Sequence, residues 1–577
     1  MNWRGTFETV SLRIVTCLPT QVITHMQHAV LHVVLRPLSV SLLLGACLLA
    51  QGGLPPVPVP AGNPITPQKA ILGKLLFWEE QMSSDNRVAC GTCHRAAQGG
   101  GDPRPAINPG LDGISPSGDD IMASAGTIHS DVNNRYVPAA RFGLNPQVTS
   151  RTSPSSVNAA WFPTMFWDGR ATGQFINPEN GLVSLATGGA LESQAVSPIV
   201  SGVEMGHDSR NWPEVTAKLA GVVPLALATA LPPDLVAALA GGQRYPALFQ
   251  LAFGSPEITA ERIAFAIATY ERTLVPDQTP WDQFQRGNTA AMTAQQIRGM
   301  NVFNGPGRCN LCHGTSLFSD GLFHNIGLRP IVEDNGRQGV TGNAADRGKF
   351  KVPSLRNVGL RTRFMHMGAF NNLGQVVTFY VGGGGPNLDN KDPLIVPLAQ
   401  QVPPPDGADL VEFLTNGLTD ARARNRQFPF DRPNLASEGP AANGFPFGGG
   451  SAGTGNRVPT ILASQPANIG NVDYKIGLNN ARGGALAAFV LATARAPIGE
   501  QFNGVNINVD LHNSPTILSM LIAGAPGAVG SGYATVKLPL PNDPAYRGVV
   551  LTSQWFVFDQ GVPAGLASTA GAEIRFF

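Results

Sequence analysis

Two short stretches constrain this chain more than any other part of it: Cys90-Gly91-Thr92-Cys93-His94 and Cys309-Asn310-Leu311-Cys312-His313. Each has the spacing of a c-type haem attachment site. Cysteines three apart lie on one side of a helical turn, so both thiols can reach the vinyl groups of one porphyrin. The histidine that follows can then swing its imidazole under the iron as proximal ligand. A single such stretch could equally be a zinc site or a redox-active cysteine pair. The chain has six cysteines, and Cys17 and Cys47 fall in a segment expected to be removed. The two motifs therefore use every remaining cysteine, which leaves none for a disulfide framework and favours two covalent haem c groups.

Haem c and the N-terminus agree on compartment. Residues 39–50 (SVSLLLGACLLA) form an apolar run preceded by Arg36 and ending in a small residue. That run is shorter than the roughly 20 apolar residues needed to span a bilayer and reads as a Sec-type signal peptide. A lipoprotein reading at Cys47 is weaker, because the run continues through Leu48 and Leu49. The expected location is periplasmic or secreted, with no transmembrane segment in the mature chain. Net charge is +1 and there is no basic run, so nothing points to nucleic acid.

Around the motifs the pattern is mainly helical. Helical periodicity marks residues 69–78, 212–219, 258–274, 294–303, 373–380 and 408–418, with a glycine-rich loop expected over 99–147. Beyond a Gly/Ala/Pro/Asn-rich stretch the pattern changes to strands at 533–540, 549–559 and 572–577. The expected organisation is a signal region (1–50), a linker (51–67), an N-terminal cytochrome-c-like lobe (68–280), a second such lobe (281–435), a linker (436–456) and a C-terminal all-β, sandwich-like domain (457–577). On that reading a cut near residue 445 should leave the haem chemistry intact.

Further stretches appear in order: Leu72-Gly73-Lys74-Leu75-Leu76-Phe77, Arg151-Thr152-Ser153-Pro154, Phe166-Trp167-Asp168-Gly169-Arg170, Gly202-Val203-Glu204-Met205-Gly206, Phe323-His324-Asn325-Ile326-Gly327, Phe350-Lys351-Val352-Pro353-Ser354-Leu355-Arg356-Asn357 and Phe364-Met365-His366-Met367-Gly368. Over about residues 65 to 430 this series resembles the bacterial di-haem cytochrome c peroxidase family, which includes the MauG-type enzymes. The resemblance implies a haem peroxidase with two cytochrome-c-like lobes. Hydrogen peroxide would be reduced at the first haem, with electrons relayed through the second from a small exported donor such as a cytochrome c or a cupredoxin. A MauG-like oxidase acting on a protein or other substrate, and a non-catalytic di-haem electron carrier, are the alternatives.

The resemblance also implies residue roles. His94 and His313 would be proximal ligands, Glu204 the distal acid/base, Gln194 a second distal-pocket residue, and Trp167 a tryptophan between the haems. Tyr380 falls where classical members place a methionine ligand to the second haem. No histidine occupies residues 108–111, where classical members have a removable ligand to the first haem, so that iron is expected to be open unless His129 substitutes. Calcium is left open: Thr152 replaces an expected asparagine, and Arg361 and Arg363 bring positive charge near the family's ion. Met367 replaces an expected aspartate.

Overall fold

The computed structural model describes residues 53–439 and 445–577, so the expected signal region lies outside the described residues. Helix Pro67–Phe77 starts with Thr66 capping the Lys69 amide and proline at the first helical position. It packs against helix Ala260–Glu271. A Cβ at Gly73 would lie 1.9 Å from the Ala266 carbonyl oxygen, so this close crossing requires glycine. Leu72, Leu75, Leu76 and Phe77 join Ile263, Ile267 and Tyr270 in one apolar core behind the first CxxCH motif.

A second core lies behind the other motif. Helices Ala294–Asn304, Leu373–Val381 and Pro404–Glu412 surround Phe303, Phe318 and Phe413. The Arg356 guanidinium and the Asp282 carboxylate, both fully buried, pair at 2.7 Å beside it. Among the described residues, no helix is long and apolar enough to cross a membrane.

The region expected as a loop contains a sheet. Strands Pro105–Asn108 and Pro146–Val148 both pair antiparallel with Ile121–Ile128. The sequence of that central strand, IMASAGTI, is mostly small residues, which hides it from β-propensity. The small residues have a packing reason: a Cβ on Gly126 would lie 2.0 Å from the Val203 carbonyl oxygen.

After residue 445 the chain is β-rich. One sheet runs in the order Thr516–Leu521, Leu486–Ala492, Val550–Phe558, Gly571–Arg575, Phe445–Phe447, with Leu566–Ser568 also pairing with Val550–Phe558. Another runs Gly532–Lys537, Lys475–Ala481, Thr460–Leu462. Ile476, Leu478 and Val536 of the second share a core with Phe489, Trp555 and Ile574 of the first.

The stretch expected as a linker is partly structured. Ala436 and Ser437 donate their amides to the Glu80 carboxylate, and strand Phe445–Phe447 already belongs to the larger sheet. Nor is the β region held by the chain alone. The Lys475 ammonium donates to Ser130, to the Asn134 backbone and to its side chain, while Lys218 pairs with Asp473 at 2.7 Å. The described residues, 53–439 and 445–577, fall within one unit.

Candidate haem and peroxide site

The first motif is a single helical turn, Cys90–Cys93, with the Ala89 amide donating to Thr92 Oγ1 at 2.8 Å. It is pressed onto the core: a Cβ on Gly91 would lie 2.2 Å from the Trp78 ring. Both cysteines are free thiols, and burial pushes Cys90 up to about 12 and Cys93 higher still. His94 Nδ1 lies 3.0 Å from the Pro154 carbonyl oxygen and 3.3 Å from that of Gly100. These acceptors place the proton on Nδ1 and leave the Nε2 lone pair free to bind a metal. Burial lowers the imidazole's pKa and keeps it neutral.

The second motif repeats this arrangement. Cys309 and Cys312 are free thiols, raised by burial to about 12 and about 11. His313 Nδ1 faces the Phe318 carbonyl oxygen at 2.6 Å, and burial again lowers its pKa. In each motif a thiol pair and a neutral, tautomer-fixed imidazole form a donor set that fits covalent haem. The mature protein should therefore carry two haems by mass, with none of these four cysteines open to alkylation. A mass with one haem, or a Cys90–Cys93 disulfide, would contradict this.

Glu204 is half-buried, and its charge reaches the first motif, acting on both Cys90 and Cys93. It sits in a tight turn in which the amides of Met205 and Gly206 both donate to the Ser201 carbonyl oxygen. The strand Ile121–Ile128 clamps that turn, with Thr127 Oγ1 donating to the Gly206 carbonyl oxygen at 3.1 Å and Gly126 packed against its backbone. Gln147 adds a 2.7 Å hydrogen bond to the Gly202 carbonyl oxygen. Burial raises the pKa of Glu204, and the Arg170 cation partly offsets that rise. Arg170 stacks 3.6 Å from the Phe166 ring centroid and pairs with Asp168 at 3.0 Å. Gln194 is half-buried on helix Ala190–Ala195, and its amide has no hydrogen-bond partner among the described residues. No polar contact joins it to Glu204.

Trp167 stands where the two haem-bearing regions meet. Its Nε1 donates to the Thr152 carbonyl oxygen at 2.9 Å, its own carbonyl accepts from Lys351, and its ring centroid is 6.3 Å from that of His366. Arg151 ties the same junction by pairing with Asp168 and Asp334, each at 2.6 Å. Burial lowers the pKa of His366 to about 4, and the charge of Asp334 opposes that fall. Arg151, Arg170 and Asp334 had no assigned role in the sequence reading, although Arg151 and Arg170 stand inside its motifs.

Tyr380, on helix Leu373–Val381, faces the second motif. Burial raises its pKa. His129 cannot substitute as an iron ligand in this conformation. Its Nδ1 faces the Val137 carbonyl oxygen at 3.1 Å and its Nε2 faces Asp208 at 3.0 Å.

The sequence profile of the family described as di-haem cytochrome c peroxidase matches residues 67–290. Cytochrome-c peroxidase IdrP1 of Denitromonas iodatirespirans is 31% identical over 396 residues, covering 63% of this chain and 85% of that protein. Methylamine utilization protein MauG of Methylorubrum extorquens is 31% identical over 330 residues, covering 57% of this chain and 72% of that protein. The crystal structure of a MauG-like protein associated with microbial copper homeostasis aligns with 25% identity and a TM-score of 0.47, over 66% of this chain and 96% of that one.

Proposed function

Since the chain belongs to the di-haem cytochrome c peroxidase family, which includes the MauG proteins, we propose that it reduces hydrogen peroxide at a haem held by Cys90, Cys93 and His94, with electrons relayed through a haem held by Cys309, Cys312 and His313. The observation that carries this reading is the half-buried Glu204 carboxyl, whose charge reaches the first motif and whose pKa is raised by desolvation. Haem c supplies redox-active iron that can bind peroxide at an open position. The protein supplies the proton handling. Cleavage of peroxide to water needs a group that takes a proton from one oxygen and returns it to the other as the bond between them breaks. Glu204 can do both, because its raised pKa brings its protonated and ionised forms closer in energy near neutral pH. An electron carrier would have no use for a carboxyl with a raised pKa there. The engagement of His129 elsewhere supports an open first site.

Trp167 lies at the junction between the two haem-bearing regions, and its indole can shorten the electron path between them. Gln194 is assigned to the wall of the peroxide pocket on the resemblance alone. Electrons would come from a small exported cytochrome c or cupredoxin, and the chain would work in the periplasm or outside the cell.

Tyr380 supports a second reading. A phenol at the second motif, in place of a methionine, favours ferric over ferrous iron once ligation removes its proton. Such a haem would be a poor entry port for electrons and a better store of oxidising power, as a MauG-like oxidase requires. Tyr380→Phe should change the optical spectrum of the second haem and raise its reduction potential. An unchanged spectrum and potential would remove Tyr380 from the ligand set. An electron paramagnetic resonance spectrum of the resting ferric protein should then show a high-spin first haem. Two low-spin haems, each with two strong protein ligands, would favour the electron carrier.

A further inference from the structure

Arg361 is a cation without a carboxylate partner among the described residues. Its Nη1 donates to the Gly99 carbonyl oxygen at 3.3 Å, its Nη2 to that of Ser153 at 3.0 Å, and its Nε to that of Arg363 at 3.3 Å. The first two acceptors lie in segments that run past the first motif. The residues immediately after them, Gly100 and Pro154, offer the two carbonyls that face His94 Nδ1. Ser153 Oγ also donates to the Cys93 carbonyl oxygen at 2.9 Å. One guanidinium from the second haem-bearing region therefore grips both segments that orient the first proximal histidine.

The glycines of this loop are fitted to that grip. Gly99 has φ +60°, and a Cβ there would lie 2.7 Å from Arg361 Cγ. A Cβ at Gly101 would lie 2.9 Å from Arg361 Nη1. The same place does not fit a calcium ion. The carbonyls of Gly99, Ser153 and Arg363 already accept from the guanidinium, and Thr152 Oγ1 is directed to the Met365 carbonyl oxygen at 3.0 Å. Asp102, which lines the small cavity beside Arg361, accepts from the Arg104 amide through Oδ1 and has Arg104 Nε 3.4 Å away. Its buried Oδ2 has no hydrogen-bond partner among the described residues, which leaves a carboxylate oxygen beside a site already occupied by the guanidinium. A divalent cation would have to displace or face a guanidinium, and calcium sites are built from oxygen ligands with little competing positive charge.

We propose that Arg361 is an internal cation that replaces bound calcium between the two haem motifs and acts as the positioning residue for His94. Burial lowers its pKa only to about 10, so it is charged at neutral pH. The proposal rests on His94 being the proximal ligand, a reading that the haem count tests separately.

The experiment uses the full-length protein with both haems, Arg361→Ala, Arg361→Lys, and wild type treated with a calcium chelator. Haem content by pyridine haemochrome comes first, and fewer than two haems in wild type would fail the ligand reading rather than this one. With two haems present, wild type should hold no stoichiometric calcium, and chelation should leave its first-haem spectrum unchanged. Arg361→Ala should shift and broaden the iron–histidine stretching band of the first haem and lower its potential, because a nearby positive charge stabilising ferrous iron is lost. Arg361→Lys keeps the charge without the three-way grip, so it should retain most of the potential but show the broadened band. The proposal is overturned if Arg361→Ala leaves band and potential unchanged. It is equally overturned if wild type carries one calcium whose removal shifts the spectrum. Should Arg361→Ala fail to fold, Arg361→Lys and the calcium measurements decide the matter.

Discussion

Glu204→Gln is expected to leave both haems attached and to slow peroxide cleavage by roughly 10²-fold or more, the usual worth of a positioned acid/base. Glutamine has nearly the same shape, so the turn from Ser201 to Gly206 and its contacts with Thr127, Gln147 and Gly126 should persist. What is lost is a group that can exchange a proton. Single-turnover mixing of ferric protein with peroxide reads this directly, whereas steady-state turnover could hide it behind electron delivery. The pH profile gives a second reading. Burial raises the Glu204 pKa and Arg170 opposes the rise, so the wild-type profile should show a limb above the ordinary carboxylate range. That limb should vanish in Glu204→Gln and move upward in Arg170→Gln, where the opposing charge is gone. Unchanged peroxide kinetics in Glu204→Gln would assign the proton to another group.

The parts of this protein legible in its sequence are those where chemistry demands fixed spacing. The CxxCH turns are local, and the helices expected from residues 69 and 294 form where Thr66 caps the Lys69 amide and Thr293 closes a capping box with Gln296, both outside the stretches the periodicity marked. The strand Ile121–Ile128 was hidden because close packing on the Glu204 turn selects alanine, serine and glycine over the residues that announce a strand. Arg361 was visible as a charge unfavourable to calcium, but its acceptors are backbone carbonyls of Gly99 and Ser153, which leave no mark on composition. Lys475 likewise reads as one polar residue in a strand, while its partners Ser130 and Asn134 are more than three hundred residues away.

Lys475→Met is expected to destabilise the docking of the β region by on the order of 3 kcal/mol, since it leaves buried acceptors without their donor. The ammonium donates to Ser130 Oγ at 2.9 Å and to the Asn134 carbonyl oxygen at 2.9 Å, and it lies 4.2 Å from the Tyr136 ring centroid. Ile128, Tyr136 and Leu144 pack beneath it against Leu462 and Tyr533. The effect should reach the peroxide pocket, because Ser130 accepts from the Asp208 amide and the adjoining strand clamps the Glu204 turn. Hydrogen exchange should accelerate over residues 121–136 and 201–208 while both haems stay attached, since no residue of either motif hydrogen-bonds to the β region among the described residues. Removing residues 445–577 should do the same more severely, by exposing Tyr136 and leaving Lys218 without Asp473. Wild-type exchange and peroxide kinetics in the truncated protein would instead make the β region a passive appendage. The pH dependence separates the lysine from the rest of the interface. Burial lowers the folded-state pKa of Lys475 to about 7. Unfolding therefore takes up a proton between about pH 7 and the ordinary lysine value near 10.4. Stability gains a positive slope with pH across that window, because there the unfolded chain binds more protons. Lys475→Met removes this component, so its stability difference from wild type should widen as pH rises from about 7 to 10.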